Sequence, residues 1–231
     1  TAALHDTTQD DMNTANFLSI PASLFPDQEI LVFGSHRLTY GAALERVRRL
    51  ASALRARGVG RGSSVATLAT NSHRYVETYY AAAAVGATFV PLNYRAKLQE
   101  LEYMIGRANP KVLFFGDRYL SLLRELEGRL PADMSLVALE DGDGSLPVAE
   151  TLLAESDPDG EDEEIEESDV SVLMYTSGTT SLPKGVMLTF GDFTAYVVGT
   201  VDMADGEPKG TQLVCVPLYH IAGATSIMTS V

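Results

Sequence analysis

Cysteine is nearly missing from this sequence: Cys215 is the single one in 231 residues, so no disulfide can form within the chain. Chemistry in the reducing cytoplasm is the simplest reading of such usage. Cys215 stands in an apolar run with no identifiable base partner, and is read as a buried structural thiol. No stretch of about 18 apolar residues occurs, which leaves no candidate transmembrane helix. Residues 1–11 are polar and acidic and lack the basic-then-apolar pattern of a secretory signal. Positive charge is scarce: 17 Lys and Arg stand against 31 Asp and Glu, a formal net charge of −14. A surface of that sign repels nucleic acid and anionic membrane, so neither is an expected partner. His36 and His73 have no metal-ligand spacing and receive no role. A Walker A loop is also absent, because no Gly-Lys-Ser/Thr follows a first glycine at the required spacing.

What remains is the composition of an ordinary globular protein, with 45% hydrophobic and 21% charged residues. The length suffices for one large domain or two small ones with a buried core. Residues 29–40 read as a hairpin around Gly34 and Ser35. Leu44, Val47, Leu50, Ala51 and Leu54 then recur at helical spacing, and Gly58 is a stop. The arginines among them, Arg46 to Arg57, read as the wet face of that helix. Strands are expected at 64–69, 88–91, 111–115, 170–175 and 212–216. Helices are expected after Asn71, a candidate N-cap, and around Leu98 to Ile105, 120–130 and 190–201. This alternation predicts an α/β fold: mostly parallel sheets flanked by helices, with ligands bound beyond the carboxyl ends of the strands.

Between the two halves lies an acidic run holding Glu161, Asp162, Glu163, Glu164, Glu166 and Glu167, near Pro158 and Gly160. Such a run reads as a solvated, self-repelling linker, with an acidic docking site as the alternative. The expected organisation is therefore a first αβ segment at 1–154, a linker at 155–169 and a second segment at 170–231.

The second segment carries the densest chemical signal, Tyr175-Thr176-Ser177-Gly178-Thr179-Thr180-Ser181-Leu182-Pro183-Lys184-Gly185. A buried-strand signature leads into five hydroxyl residues with Gly178 and Gly185 as pivots. Hydroxyls and free N–H groups are neutral donors suited to phosphate oxygens. Glycine lets the backbone approach closely, Pro183 stiffens the turn, and Lys184 adds one mobile positive charge. A plain Ser/Thr-rich turn is the alternative.

This order of residues resembles the signature loop of the adenylate-forming superfamily, which includes acyl-CoA synthetases, carrier-loading adenylation domains and luciferases. Leu38-Thr39-Tyr40, the run from Ala84 to Asn93, and Pro217-Leu218-Tyr219-His220-Ile221-Ala222-Gly223 are similar to further motifs of that family, so the resemblance spans about Leu38 to Gly223. Ser181 departs from it, standing where the family's loop usually has glycine. The family's Tyr-Gly-x-Thr-Glu segment, its ribose-binding aspartate and its small C-terminal domain with the catalytic lysine have no counterpart in residues 1–231. The chain accordingly reads as a partial N-terminal AMP-binding domain, expected to lack a complete catalytic cycle by itself.

The resemblance implies a two-step reaction. A carboxylate, with a fatty acid as first choice, attacks the α-phosphate of ATP to give acyl-AMP, and coenzyme A then takes the acyl group. It implies that Ser177, Gly178, Thr179, Thr180, Ser181, Lys184 and Gly185 hold phosphates, that Thr176 helps to hold Mg²⁺, and that His220 lies beside the substrate carboxylate. Lys184 and His220 are thus the candidate catalytic residues. Local donors, one lysine and Mg²⁺ would have to attract ATP against the chain's own negative field. A carrier-loading or luciferase-like enzyme, and a non-catalytic binding module that keeps the loop, stay open as alternatives.

Overall fold

The computed structural model describes residues 12–158, 160, 162–176, 182–202 and 210–231. In chain order the elements are α1 (Asn16–Leu24), β1 (Glu29–Phe33), β2 (His36–Thr39), α2 (Tyr40–Ala56), β3 (Ser64–Leu68), α3 (His73–Ala84), β4 (Thr88–Pro91), α4 (Leu98–Ala108), β5 (Val112–Phe115), a short 3₁₀ turn (Asp117–Tyr119), α5 (Leu120–Glu125), β6 (Ser135–Ala138), α6 (Ala149–Glu155), β7 (Val170–Thr176), β8 (Lys184–Thr189), α7 (Phe190–Thr200) and α8 (Ile221–Thr229). Six of the strands form one sheet in the order β6-β5-β3-β4-β7-β8. All neighbours run parallel except β7 and β8.

Side-chain alternation along the parallel strands builds a core on each face, because successive residues point to opposite sides. Val65, Phe89, Val112 and Phe114 join Leu50, Leu54 and Tyr79 of α2 and α3 on one face. Ala66, Val90, Leu113 and Phe115 join Leu101, Met104 and Ile105 of α4 on the other. Near-continuous apolar strands follow from burial on both faces. The expected mostly parallel α/β fold is the observed one, and the two halves share its sheet through the parallel pair β4 and β7.

Local chemistry starts and stops the elements. Phe33 pairs with His36 across a two-residue turn in which Gly34 takes φ 61°. The Thr39 hydroxyl accepts from the Ala42 amide at 3.2 Å and caps α2, and Gly58 follows at φ 72°. Tyr79 and Tyr80 are buried packing residues. Their hydroxyls donate to the Thr14 hydroxyl and the Ile227 carbonyl.

Several expectations need correction. The cap of α3 is Ser72, whose hydroxyl accepts from the Tyr75 amide at 3.2 Å; Asn71 is occupied elsewhere. The expected helix at 120–130 stops at Glu125, because the chain passes into turns that end at Gly128 with φ 81°. Residues 212–216 form no strand: no neighbouring strand among the described residues pairs with them. Cys215 in that segment is exposed, since an apolar run gains burial only from a partner that packs on it. Arg46 is not on a wet face. It bridges Glu77 of α3 at 2.6 Å and Glu150 of α6 at 2.7 Å, and its side chain is 25% exposed.

The acidic run is also no free linker. The Glu163 amide donates to the Ala84 carbonyl at 2.8 Å, and Ile165 is buried. Arg61 pairs with Glu166 and Asp169, each at 2.7 Å. Residues 162–169 form a strap in which arginine pairs part of the negative charge and the one apolar side chain, Ile165, is buried.

Candidate functional site

Parallel strands end at the same edge, and their loops meet there. Asn71 follows β3, Tyr94 follows β4, and β7 ends at Thr176. At this edge Thr176 faces Lys184 as a cross-strand partner, and the Thr176 hydroxyl donates to the Lys184 carbonyl at 3.4 Å. Both residues are exposed. One residue inward, the Tyr175 hydroxyl donates to the Met104 carbonyl at 3.2 Å and pins β7 to α4. Burial raises the Tyr175 hydroxyl above its ordinary pKa, so it stays a proton donor. Gly185 stands opposite Tyr175, and a Cβ there would meet Leu173 Cδ1 at 3.0 Å. The pivot role expected for Gly185 is thus a close side-chain approach within the β7–β8 pair. Ser177, Gly178, Thr179, Thr180 and Ser181 lie outside the described residues.

His220 is the N-cap residue of α8, and its side chain is exposed and makes no cap bond. Its amide donates to the Pro217 carbonyl at 3.0 Å, and its carbonyl accepts from Gly223 and Ala224 at 2.9 and 3.0 Å. This tight turn demands glycine at 223, where a Cβ would sit 2.5 Å from the Pro217 oxygen. The backbone approaches closely at Gly223. The Tyr219 ring lies 4.2 Å from the His220 ring and 5.0 Å, edge-on, from Tyr94. Burial raises the Tyr219 hydroxyl, with Tyr94 adding to the effect. These contacts bring His220 to the end of β4.

Sequence reasoning gives Tyr94, Tyr219 and Asn71 no place among the site residues. The motif around His220 contains Tyr219 and is a usable signal for it. An asparagine after a strand, by contrast, looks the same whether it caps a helix or bonds a distant segment.

A mostly apolar cavity of about 400 Å³ lies between the β1–β2 hairpin, α3, residues 211–214 and the C-terminal half of α8. It is bordered by Asn71 and His73, but not by Thr176, Lys184 or His220. Among the described residues no group of three or more His, Cys, Asp or Glu is placed to hold a metal ion. Thr176 offers a single exposed hydroxyl oxygen, which suits Mg²⁺ in the manner usual with nucleotides, one or two protein oxygens plus substrate phosphates. No helix among the described residues is long and apolar enough to cross a membrane.

The mostly parallel open sheet, with β7 and β8 antiparallel at one side, makes the chain an α/β protein, a class that binds ligands beyond the carboxyl ends of its strands. The profile of the family described as AMP-binding enzyme matches residues 20–231, and the chain belongs to that family. It is 34% identical over 222 residues to a long-chain-fatty-acid–CoA ligase of Thermus thermophilus, covering 92% of this chain and 40% of that protein. It is 35% identical over 205 residues to a feruloyl-CoA synthase of Amycolatopsis, covering 87% and 38%. Among solved structures, a fatty acyl CoA synthetase of Mycobacterium tuberculosis superposes with a TM-score of 0.80 at 26% identity, covering 96% of this chain and 43% of that one. The chain thus spans about 40% of the length of the curated relatives it matches.

Proposed function

We propose that the complete protein is an AMP-forming acyl-CoA ligase that activates a carboxylic acid as acyl-AMP and passes the acyl group to coenzyme A. The observation that carries this reading is the pairing of Thr176 with Lys184 at the carboxyl edge of the sheet, flanking the Ser-Gly-Thr-Thr-Ser run. In this reading Ser177, Gly178, Thr179, Thr180, Ser181 and Gly185 surround phosphate oxygens through N–H and hydroxyl donors. Lys184 offsets the charge that builds on the phosphates, and Thr176 gives one oxygen to Mg²⁺. His220, held at the end of β4, faces the acid. It need not act as a base, because a carboxylate is already ionised at neutral pH.

A fatty acid is the first substrate to try, and the name of the Thermus relative supports it. The feruloyl relative makes an aromatic acid the second. The organisation into a first segment at 1–154, an acidic run at 155–169 and a second segment at 170–231 is proposed as one N-terminal AMP-binding domain. The test is ATP–pyrophosphate exchange by the complete protein with octanoate, dodecanoate, benzoate and ferulate, followed by thioester detection after adding coenzyme A. Acid-dependent exchange with thioester formation is expected. Exchange without thioester would sink the coenzyme A half of the reading, and no exchange with any acid would sink both halves.

A further inference from the structure

Asn71 sits at the carboxyl end of β3 and spends its whole side chain on one distant segment. Its Nδ2 donates to the Val214 carbonyl at 3.3 Å and to the Val216 carbonyl at 2.9 Å. Its Oδ1 accepts from the Leu218 amide at 3.0 Å. The three bonds cross 143 to 147 positions of sequence. Carbonyls at alternate residues of an extended chain point the same way, toward where a neighbouring strand would lie. Residues 212–216 have no such neighbour among the described residues, so the carboxamide takes its place. A primary amide can do this because it carries two donors and an acceptor in one plane.

The consequence falls on the next turn. Leu218, whose amide Asn71 holds, is followed by Tyr219 and His220, and Pro217, next to the held Val216, accepts from the His220 amide. Gly223 closes the same turn with no room for a Cβ. His220 is thereby clamped from both sides: Asn71 fixes the chain entering the turn, and the Gly223 contact fixes the chain leaving it. A side chain that served only to cap α3 would leave these carbonyls unpaired, and Ser72 already supplies that cap.

We propose that Asn71 is a positioning residue for the acid-binding side of the reaction: through residues 214–218 it sets the orientation of the His220 imidazole relative to the carboxyl edge of the sheet. The inference rests on the proposed function for the role of His220, but not for the placement of its ring. Misplacing a group beside a reacting centre by about 1 Å can cost on the order of a hundredfold in rate.

The experiment uses the complete protein with Asn71→Ala and Asn71→Asp. Asn71→Asp keeps the acceptor for the Leu218 amide, loses both donors and sets a carboxylate against two carbonyl oxygens. Imidazole NMR resonances, with His220 assigned through His220→Gln, read the placement of the ring. Exchange kinetics with dodecanoate or ferulate, whichever supports turnover, read the reaction. The His220 resonance is expected to move in both variants. The acid kcat/KM should fall about ten- to hundredfold in Asn71→Ala, and at least as far in Asn71→Asp, with the KM for ATP unchanged. An unmoved His220 resonance in folded variants overturns the positioning. A moved resonance with unchanged acid kinetics overturns its bearing on the reaction, as does a lowered melting temperature with kcat and KM intact. If the parent protein exchanges with no acid, the proposed function fails, while the NMR comparison still decides whether Asn71 places His220.

Discussion

Lys184 opens β8 opposite Thr176, with its side chain in solvent. Its main chain holds the hairpin, since its carbonyl accepts from the Thr176 hydroxyl, while its ammonium belongs to no core contact. Lys184→Ala is therefore expected to leave the melting temperature nearly unchanged. If the ammonium meets phosphate in the transition state, its loss should lower the exchange rate by about 2–4 kcal/mol of barrier, roughly thirty- to a thousandfold. Exchange kinetics and a thermal melt of the same sample separate these effects. Unchanged exchange would remove Lys184 from the reaction, and a lower melting temperature would make it structural. Gly223 is the opposite kind of residue: its value lies in the atoms it lacks, and any side chain there must displace the Pro217–Leu218 backbone.

At the scale of elements, the hairpin meets α3 through a pair of histidines. The His36 and His73 rings stack at 4.7 Å, and His73 is 3% exposed with no hydrogen-bond partner on Nδ1. Burial lowers the His73 pKa from 6.5 to about 4, helped by Arg74, His36 and Arg46, while Glu150 acts in the opposite direction. Between those values the unfolded chain binds a proton that the folded chain refuses. The stabilisation is complete above about pH 6.5, is lost progressively as pH falls from there, and is gone below about 4; its full size is on the order of 3 kcal/mol. Urea unfolding at pH 7 and pH 5 should show roughly half of the loss, and His73→Phe should flatten that slope. An equal slope in the variant would assign the acid sensitivity to other groups. Neither histidine has a role that the sequence reveals, because a lone histidine shows neither its burial nor the ring it stacks on.

Over the whole molecule, where acidic residues outnumber basic ones by 14, arginines pair with several of the acids. Arg61 meets Glu166 and Asp169, and Arg46 joins α2 to α3 and α6 through Glu77 and Glu150. Exposed pairs of the first kind contribute little, so the strap depends more on Ile165, which is 6% exposed. Ile165→Ala is expected to cost about 2 kcal/mol or more. It should also make the segment 155–169 the first point of attack in limited proteolysis. Cleavage unchanged from the parent would show that the strap is held by its hydrogen bonds and ion pairs alone. Because the strap leads directly into β7, loosening it also loosens the strand that carries Thr176.

The strands and helices that bury one continuous apolar surface are legible in the sequence by itself. The run Val170 to Tyr175, the helical spacing of Leu44 to Leu54 and the turn at Gly34 all state their conformation through local periodicity and turn chemistry. The family is legible for a related reason, since the motifs that carry it are runs of contiguous residues. What tertiary structure decided are the features that depend on a distant partner. Residues 212–216 have strand composition, but a strand exists only where a neighbour takes its hydrogen bonds, and there Asn71 takes them instead. Cys215 has buried surroundings in sequence and solvent in space, for the same lack of a packed neighbour. Asn71 and Ser72 are equally good caps on paper, and the one that caps α3 is the one not claimed by a segment more than 140 positions away. Periodicity records which face of an element avoids water; it carries no information about which other element arrives to cover that face.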